Sequence, residues 1–165
     1  MKLLIMSDSH ASRNFMRHCI KAVKPDALVH LGDYFEDGEI ISEENPNIIM
    51  HQVPGNCDLG RMIRFHPQML CYDIFGVRFF MTHGHNQNVK QGLHKLLFEA
   101  RAAEAKVVLY GHTHRADCHQ EEDGLWVMNP GCCGTYGGSV GLIEIENGNI
   151  LRCKILGSED LEEFL

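Results

Sequence analysis

Five times along this chain of 165 residues, a run that reads as a β-strand ends in a short cluster of carboxylate, amide or imidazole groups. The clusters are Asp8 with His10, Asp33, Asn56, His83, and His112 with His114. Open α/β sheets hold their ligands outside the carboxyl ends of the strands. A fold able to use all five clusters must therefore bring five strand ends to one side. Oxygen and imidazole donors that include a carboxylate able to bridge are what a pair of divalent metals requires. Because the set is spread from residue 8 to residue 114, the site belongs to the whole fold and not to a local finger.

The intervening segments supply the layers. Leu3 to Met6 is a short continuous apolar run, as in a strand covered on both faces. From Ser12 to Val23, the residues Phe15, Cys19, Ile20 and Val23 recur at helical spacing and stop before Pro25. Ala27 to Leu31 is a second strand, which gives a β-α-β opening and a parallel pair. A short helix is expected over Glu36–Glu43 and a strand over Asn47–Val53. Cys71–Phe75 and Val77–Thr82 around Gly76 predict an antiparallel hairpin, Val89–Ala105 a helix, and Lys106–Tyr110 another buried strand. Short strands around Asp123-Gly124, Gly137-Gly138 and Asn147-Gly148 predict a β-rich end, and Ser158–Leu165 a frayed terminal helix. The sum is an α/β protein, a two-sheet sandwich with flanking helices.

A hydrophobic content of 44% over this length fits a single domain spanning 1–165. The formal net charge of -7 argues against an extended nucleic-acid partner, yet leaves room for a small phosphate ligand at a locally positive centre. The seven cysteines form no C-x-x-C pair, and their odd number cannot be closed into internal disulfides. With no secretory signal and no apolar stretch long enough to span a membrane, a cytoplasmic location is expected.

Gly, Asn and Asp are ordinary residues of strand-end turns. Histidine is not required there, and it recurs in three of the five clusters. The ordered pattern D-x-H, G-D, G-N-x-D, H-G and G-H-x-H resembles that of the calcineurin-like metallophosphoesterase superfamily. It is most similar to the small bacterial and archaeal phosphodiesterases whose third motif reads G-N-C-D, here Gly55 to Asp58. An N-P-G stretch stands at Asn129-Pro130-Gly131, and the resemblance spans about residues 1–146.

That resemblance implies the metallophosphoesterase fold and two divalent metal ions. Asp8, His10 and His114 would hold one, Asn56, His83 and His112 the other, and Asp33 would bridge them. Manganese is placed first, with nickel, iron and zinc open, since oxygen and imidazole donors do not choose among them. The larger relatives usually carry histidine where Cys57 stands, a residue assigned to the leaving group or the phosphate. A thiol is a weak donor at neutral pH, so His85, two residues from His83, is the candidate to share that role. Asp58 is expected to orient its loop or a ligand. Arg13 is either a phosphate contact or a solvated helix-face cation, and Cys132-Cys133 is read as small residues packing a turn.

The implied activity is hydrolysis of a small phosphodiester by a metal-bound hydroxide. Two divalent cations, less two aspartates and one hydroxide, leave about one positive charge, which matches a phosphodiester anion. A phosphomonoesterase is the alternative enzyme. A non-catalytic binding scaffold on the same fold, as in the small retromer subunit, is the alternative of a different class and predicts missing ligands. Pairing of two copies through an exposed strand edge stays open.

Overall fold

The computed structural model describes residues 1–60, 63–134 and 137–164. Two five-stranded sheets lie face to face with helices outside them. In the first sheet β1 (Lys2–Met6), β2 (Ala27–His30) and β3 (Ile49–Gln52) run parallel. The antiparallel pair β9 (Ser139–Glu146) and β10 (Asn149–Gly157) extends it on the other side of β1. In the second sheet β5 (Val77–Thr82), β6 (Val107–Leu109) and β8 (Trp126–Asn129) are parallel, flanked by antiparallel β4 (Met69–Ile74) and β7 (Asp117–Gln120).

The period-2 alternation of strands assigns each side chain to a layer. Leu3 and Ile5 meet Val29, Phe79, Met81, Val107 and Leu109 between the sheets. Leu4 and Met6, one residue out of phase, meet α1 (Arg13–Val23) through Met16, Cys19 and Ile20 on the outer face. On the far side of the second sheet, Phe80, Val108 and Val127 cover Leu96 and Ala100 of α3 (His94–Ala102). Each such side chain, once buried, contributes about 1.5 to 3 kcal/mol. A strand covered on both faces has no polar alternation, which is why Leu3–Met6 reads as a continuous apolar run.

Three elements differ from their sequence expectation. The helix expected over 89–105 is confined to His94–Ala102, because Gly92 (φ 147°) and Glu104 (φ 57°) take backbone angles no helix contains. The expected short terminal strands are the long β9 and β10, and β9 pairs with β1 near the middle of the first sheet. The tail is docked: Asp160–Phe164 forms a 3-10 turn, Leu161 is fully buried against the α1 layer, and Lys2 and Lys154 lie over the Phe164 ring. Leu165 falls outside the described residues. The hairpin turn is as expected, with Phe75 (φ 53°) and Gly76 (φ 80°) both left-handed, as a twisted two-residue connection requires. Among the described residues, no helix is long and apolar enough to cross a membrane.

Candidate metal centre

The parallel strands put their carboxyl ends on one side of the sandwich. The loops after β1, β2 and β3 deliver Asp8 and His10, Asp33, and Asn56, while those after β5 and β6 deliver His83 and His112 with His114. The two sets meet. His114 Nε2 lies 3.1 Å from Asp8 Oδ1 and 3.4 Å from His10 Nε2. One donor atom from each of Asp8, His10, Asp33 and His114 falls within a 4.8 Å cluster. Beside it, His83 Nε2 is 3.1 Å from Asn56 Oδ1 and 3.5 Å from Asp33 Oδ1, and the His112 ring centroid is 5.0 Å from that of His83. Asp33 is thus common to both groups.

The electrostatics of this cluster call for a cation. The His83 Nδ1 atom is 2.7 Å from the Leu31 carbonyl, which can only accept, so Nδ1 carries the proton. Whenever that ring is neutral, its Nε2 lone pair faces the oxygens of Asn56 and Asp33. Asp8 Oδ1 is fully buried with no hydrogen-bond partner among the described residues, whereas its Oδ2 accepts from Ser7 Oγ at 2.6 Å and from the His112 N–H at 3.2 Å. Buried lone pairs that face one another are stable only with positive charge among them, a proton or a metal ion. The donor set of oxygens and imidazoles fits a divalent metal.

The loops are held close enough to leave no space for a side chain. A Cβ at Gly55 would meet Asp33 Oδ1 and the Asp33 backbone, and one at Gly111 would meet Ser7 Oγ and Asp8 Oδ2. Asp8, His10, Asp33, His112 and His114 all stand in the left-handed region, with φ of 54°, 45°, 55°, 69° and 59°. Burial opposes ionisation of Asp33, but the charge of a protonated His83 and the Cys57 N–H, at 2.9 Å from Oδ1, outweigh it and hold the carboxyl below its ordinary range.

The remaining sequence candidates occupy the rim. The Cys57 thiol is exposed, and its pKa is raised by desolvation and by Asp33, so it stays protonated. The His85 ring lies 5.5 Å from that of His83 and 6.2 Å from that of His112, and its Nδ1 is buried with no partner among the described residues. Burial and the nearby His83 lower its pKa. Asp58 Oδ1 accepts from Phe35 N at 2.8 Å and Oδ2 from Gly55 N at 2.7 Å, so this carboxylate braces the Gly55–Asn56 loop. Arg13 is not a freely solvated helix-face cation: its guanidinium is paired at 2.9 Å with Asp37, a carboxylate buried at 1% exposure. Cys132 and Cys133 are unbonded thiols packed under the first loop, with Cys132 Sγ 3.0 Å from the Asp8 carbonyl.

Several supporting residues give no sequence signal as site residues. Asp37, on α2 (Phe35–Glu44), accepts at Oδ2 from Ser9 Oγ at 2.7 Å and from Ala11 N at 2.8 Å. Since the one Ser9 proton goes to Asp37, the buried His30 must donate from Nε2 to Ser9 Oγ, at 3.1 Å. Asn129, which in the sequence stands out only as part of N-P-G, donates from Nδ2 to Gly111 O and Thr113 Oγ1, both at 3.0 Å, and so props the His112–His114 loop.

Known proteins resemble this chain in sequence and in fold. The chain is 30% identical over 163 residues to a phosphodiesterase of Methanocaldococcus jannaschii, covering 88% of this chain and 94% of that protein. The structure of a conserved uncharacterized protein of Streptococcus pneumoniae TIGR4, a predicted phosphoesterase, superposes with a TM-score of 0.74 at 23% identity, over 96% of this chain and 90% of that one. Vps29 of Entamoeba histolytica, complexed with Zn²⁺, shares the fold with a TM-score of 0.71 at 18% identity, over 95% of this chain and 99% of that one. The family model for the calcineurin-like phosphoesterase superfamily domain matches residues 1–148, and the chain belongs to that superfamily.

Proposed function

We propose that this chain is a phosphodiesterase that hydrolyses a small phosphodiester at a dinuclear metal centre. The observation that carries the reading is the convergence of buried Asp8, Asp33 and His83 with the rim residues His10, Asn56, His112 and His114. Asp8, His10 and His114 would hold one ion and Asn56, His83 and His112 the other, with Asp33 shared. When bound, such ions lower the pKa of water and polarise phosphoryl oxygens. The chain's own residues do the rest. The Leu31 carbonyl fixes the His83 tautomer, the Cys57 N–H favours the ionised form of Asp33, and the Asp58 brace sets the Asn56 loop.

Diester is preferred over monoester because the rim offers only weak proton donors at neutral pH. The Cys57 thiol is held protonated, and the imidazole of His85 is held toward its neutral form. His85, with its unpartnered Nδ1 at the edge of the centre, is the group placed to aid a leaving oxygen. Manganese suits the donor set, and the seven free thiols suit a reducing cytoplasm.

The test is hydrolysis of bis-p-nitrophenyl phosphate by chelator-stripped protein, with and without Mn²⁺, beside p-nitrophenyl phosphate. Metal-restored turnover that favours the diester is the expected result. Absence of turnover with manganese, nickel, iron and zinc would move this chain to the scaffold reading. His85→Ala should slow esters with poor leaving groups more than the p-nitrophenyl ester, and equal effects on both would remove His85 from the mechanism.

A further inference from the structure

Two cavities open beside the loops of the centre, and the described residues that line them differ in charge. One, of about 600 Å³, belongs to loops of the first sheet and is bounded by His10, Tyr34, Cys57 and Leu59, with Glu36 and Glu39 in its wall. The other, of about 510 Å³, belongs to the second sheet and is bounded by Lys90, Tyr110, Thr113 and Arg115, with Asp117 in its wall.

Thr113 stands between His112 and His114, so the second cavity adjoins the paired imidazoles. Its Oγ1 accepts from Asn129 Nδ2 at 3.0 Å and from Arg115 N at 3.3 Å, which leaves the hydroxyl proton to be donated elsewhere. Arg13, Arg17, Arg78, Arg101 and Arg152 each meet a carboxylate. Neither Arg115 nor Lys90 does among the described residues. Asp117 is engaged by His119 Nδ1 at 3.0 Å. Two unpaired cations and a hydroxyl with its proton free around one cavity are the groups that recognise a phosphate.

Building on the phosphodiesterase reading above, we propose that the Lys90–Thr113–Arg115 cavity binds a second phosphate group of the same substrate. The favoured substrates are then phosphodiesters that carry a terminal phosphate on one side. Glu36 and Glu39 repel that phosphate from the first cavity, so the uncharged end of the substrate lies toward Tyr34 and the orientation is fixed.

Thymidine dinucleotides with and without a 5′-phosphate test this directly, since the scissile diester is the same in both. In the Mn²⁺-loaded protein at low ionic strength, kcat/KM for the phosphorylated dinucleotide should exceed that for the other by about tenfold or more, as expected for charge-assisted contacts. Added salt should shrink the ratio. The Lys90→Gln, Arg115→Gln double variant should bring it near one. Calorimetry on chelator-stripped protein should show the same order of binding, again lost in the double variant. Equal handling of the two dinucleotides, or a preference that survives both substitutions, overturns the proposal. If no diester is turned over with any metal, the catalytic reading falls, while the calorimetric preference still decides the phosphate subsite.

Discussion

The carboxylate of Asp37, carried by α2, receives the hydroxyl of Ser9, carried by the loop after β1, at 2.7 Å. Because it also receives Ala11 N and Arg13 Nη1, it ties three points of the loop that bends His10 toward the centre. Asp37→Ala strips the partners from a buried hydroxyl, a backbone N–H and a half-buried cation. It should cost about 2 to 4 kcal/mol in urea unfolding, and Asp37→Asn about 1 kcal/mol. Metal affinity should fall with it, read by calorimetric titration of the stripped protein with Mn²⁺, because His10 loses its brace.

Gly55→Ala places a methyl group against Asp33 Oδ1 and the Asp33 backbone. Neither can retreat without moving the residue shared by both halves of the centre. Stability should drop by about 1 to 3 kcal/mol. Metal-dependent turnover should fall by about tenfold or more, as displacements of this scale do. Circular dichroism melts and Mn²⁺ titration of activity check the two effects separately.

Burial holds the His30 imidazole at a pKa of about 4, against the attraction of Asp58, Asp37 and Asp8. In the unfolded chain the ring titrates near its ordinary value, about 6.5. The folded state therefore binds the proton less readily than the unfolded one, and stability is lost as pH falls from about 6.5 toward about 4. The loss is on the order of 3 kcal/mol once both states have titrated. In urea series across that window, His30→Gln should show a shallower decline than the unaltered protein, since its amide keeps a donor for Ser9 without adding a charge.

Ion binding should register in the folded state even without substrate. At a hundredfold excess of ligand over its dissociation constant, stabilisation is about 2.7 kcal/mol. The melting temperature of chelator-stripped protein should rise with added Mn²⁺. Asp33→Asn should abolish most of that rise, because it weakens both halves of the centre together.

The layout of the site is legible in the chain wherever strand and cluster are adjacent. Leu3–Met6 announces a doubly covered strand, so the Asp8-Ser9-His10 cluster directly beyond it must lie at a strand end. The place of β9 beside β1 is not legible, since antiparallel pairing across more than a hundred residues leaves no local trace. Asp37 is hidden for a different reason. It lies among Glu36, Glu39, Glu43 and Glu44, and acidic residues on a helix ordinarily mark its solvated face, yet its side chain is the buried one. The helix expected from residue 89 fails at Gly92, where periodicity of the apolar residues continues but the backbone does not.

Left-handed backbone at Asp8, His10, Asp33, His112 and His114 costs about 1 kcal/mol per residue, and Asp and His are among the side chains that tolerate it best. The chain's own contacts hold these loops: a Cβ has no room at Gly55 or Gly111, and Asp37 ties the loop that carries His10. Metal uptake at such loops would be largely an exchange of water for donors already held in place. A centre set in this way can release one ion and accept another without rebuilding its walls, so the metal it carries would follow the supply around it more than any rearrangement within.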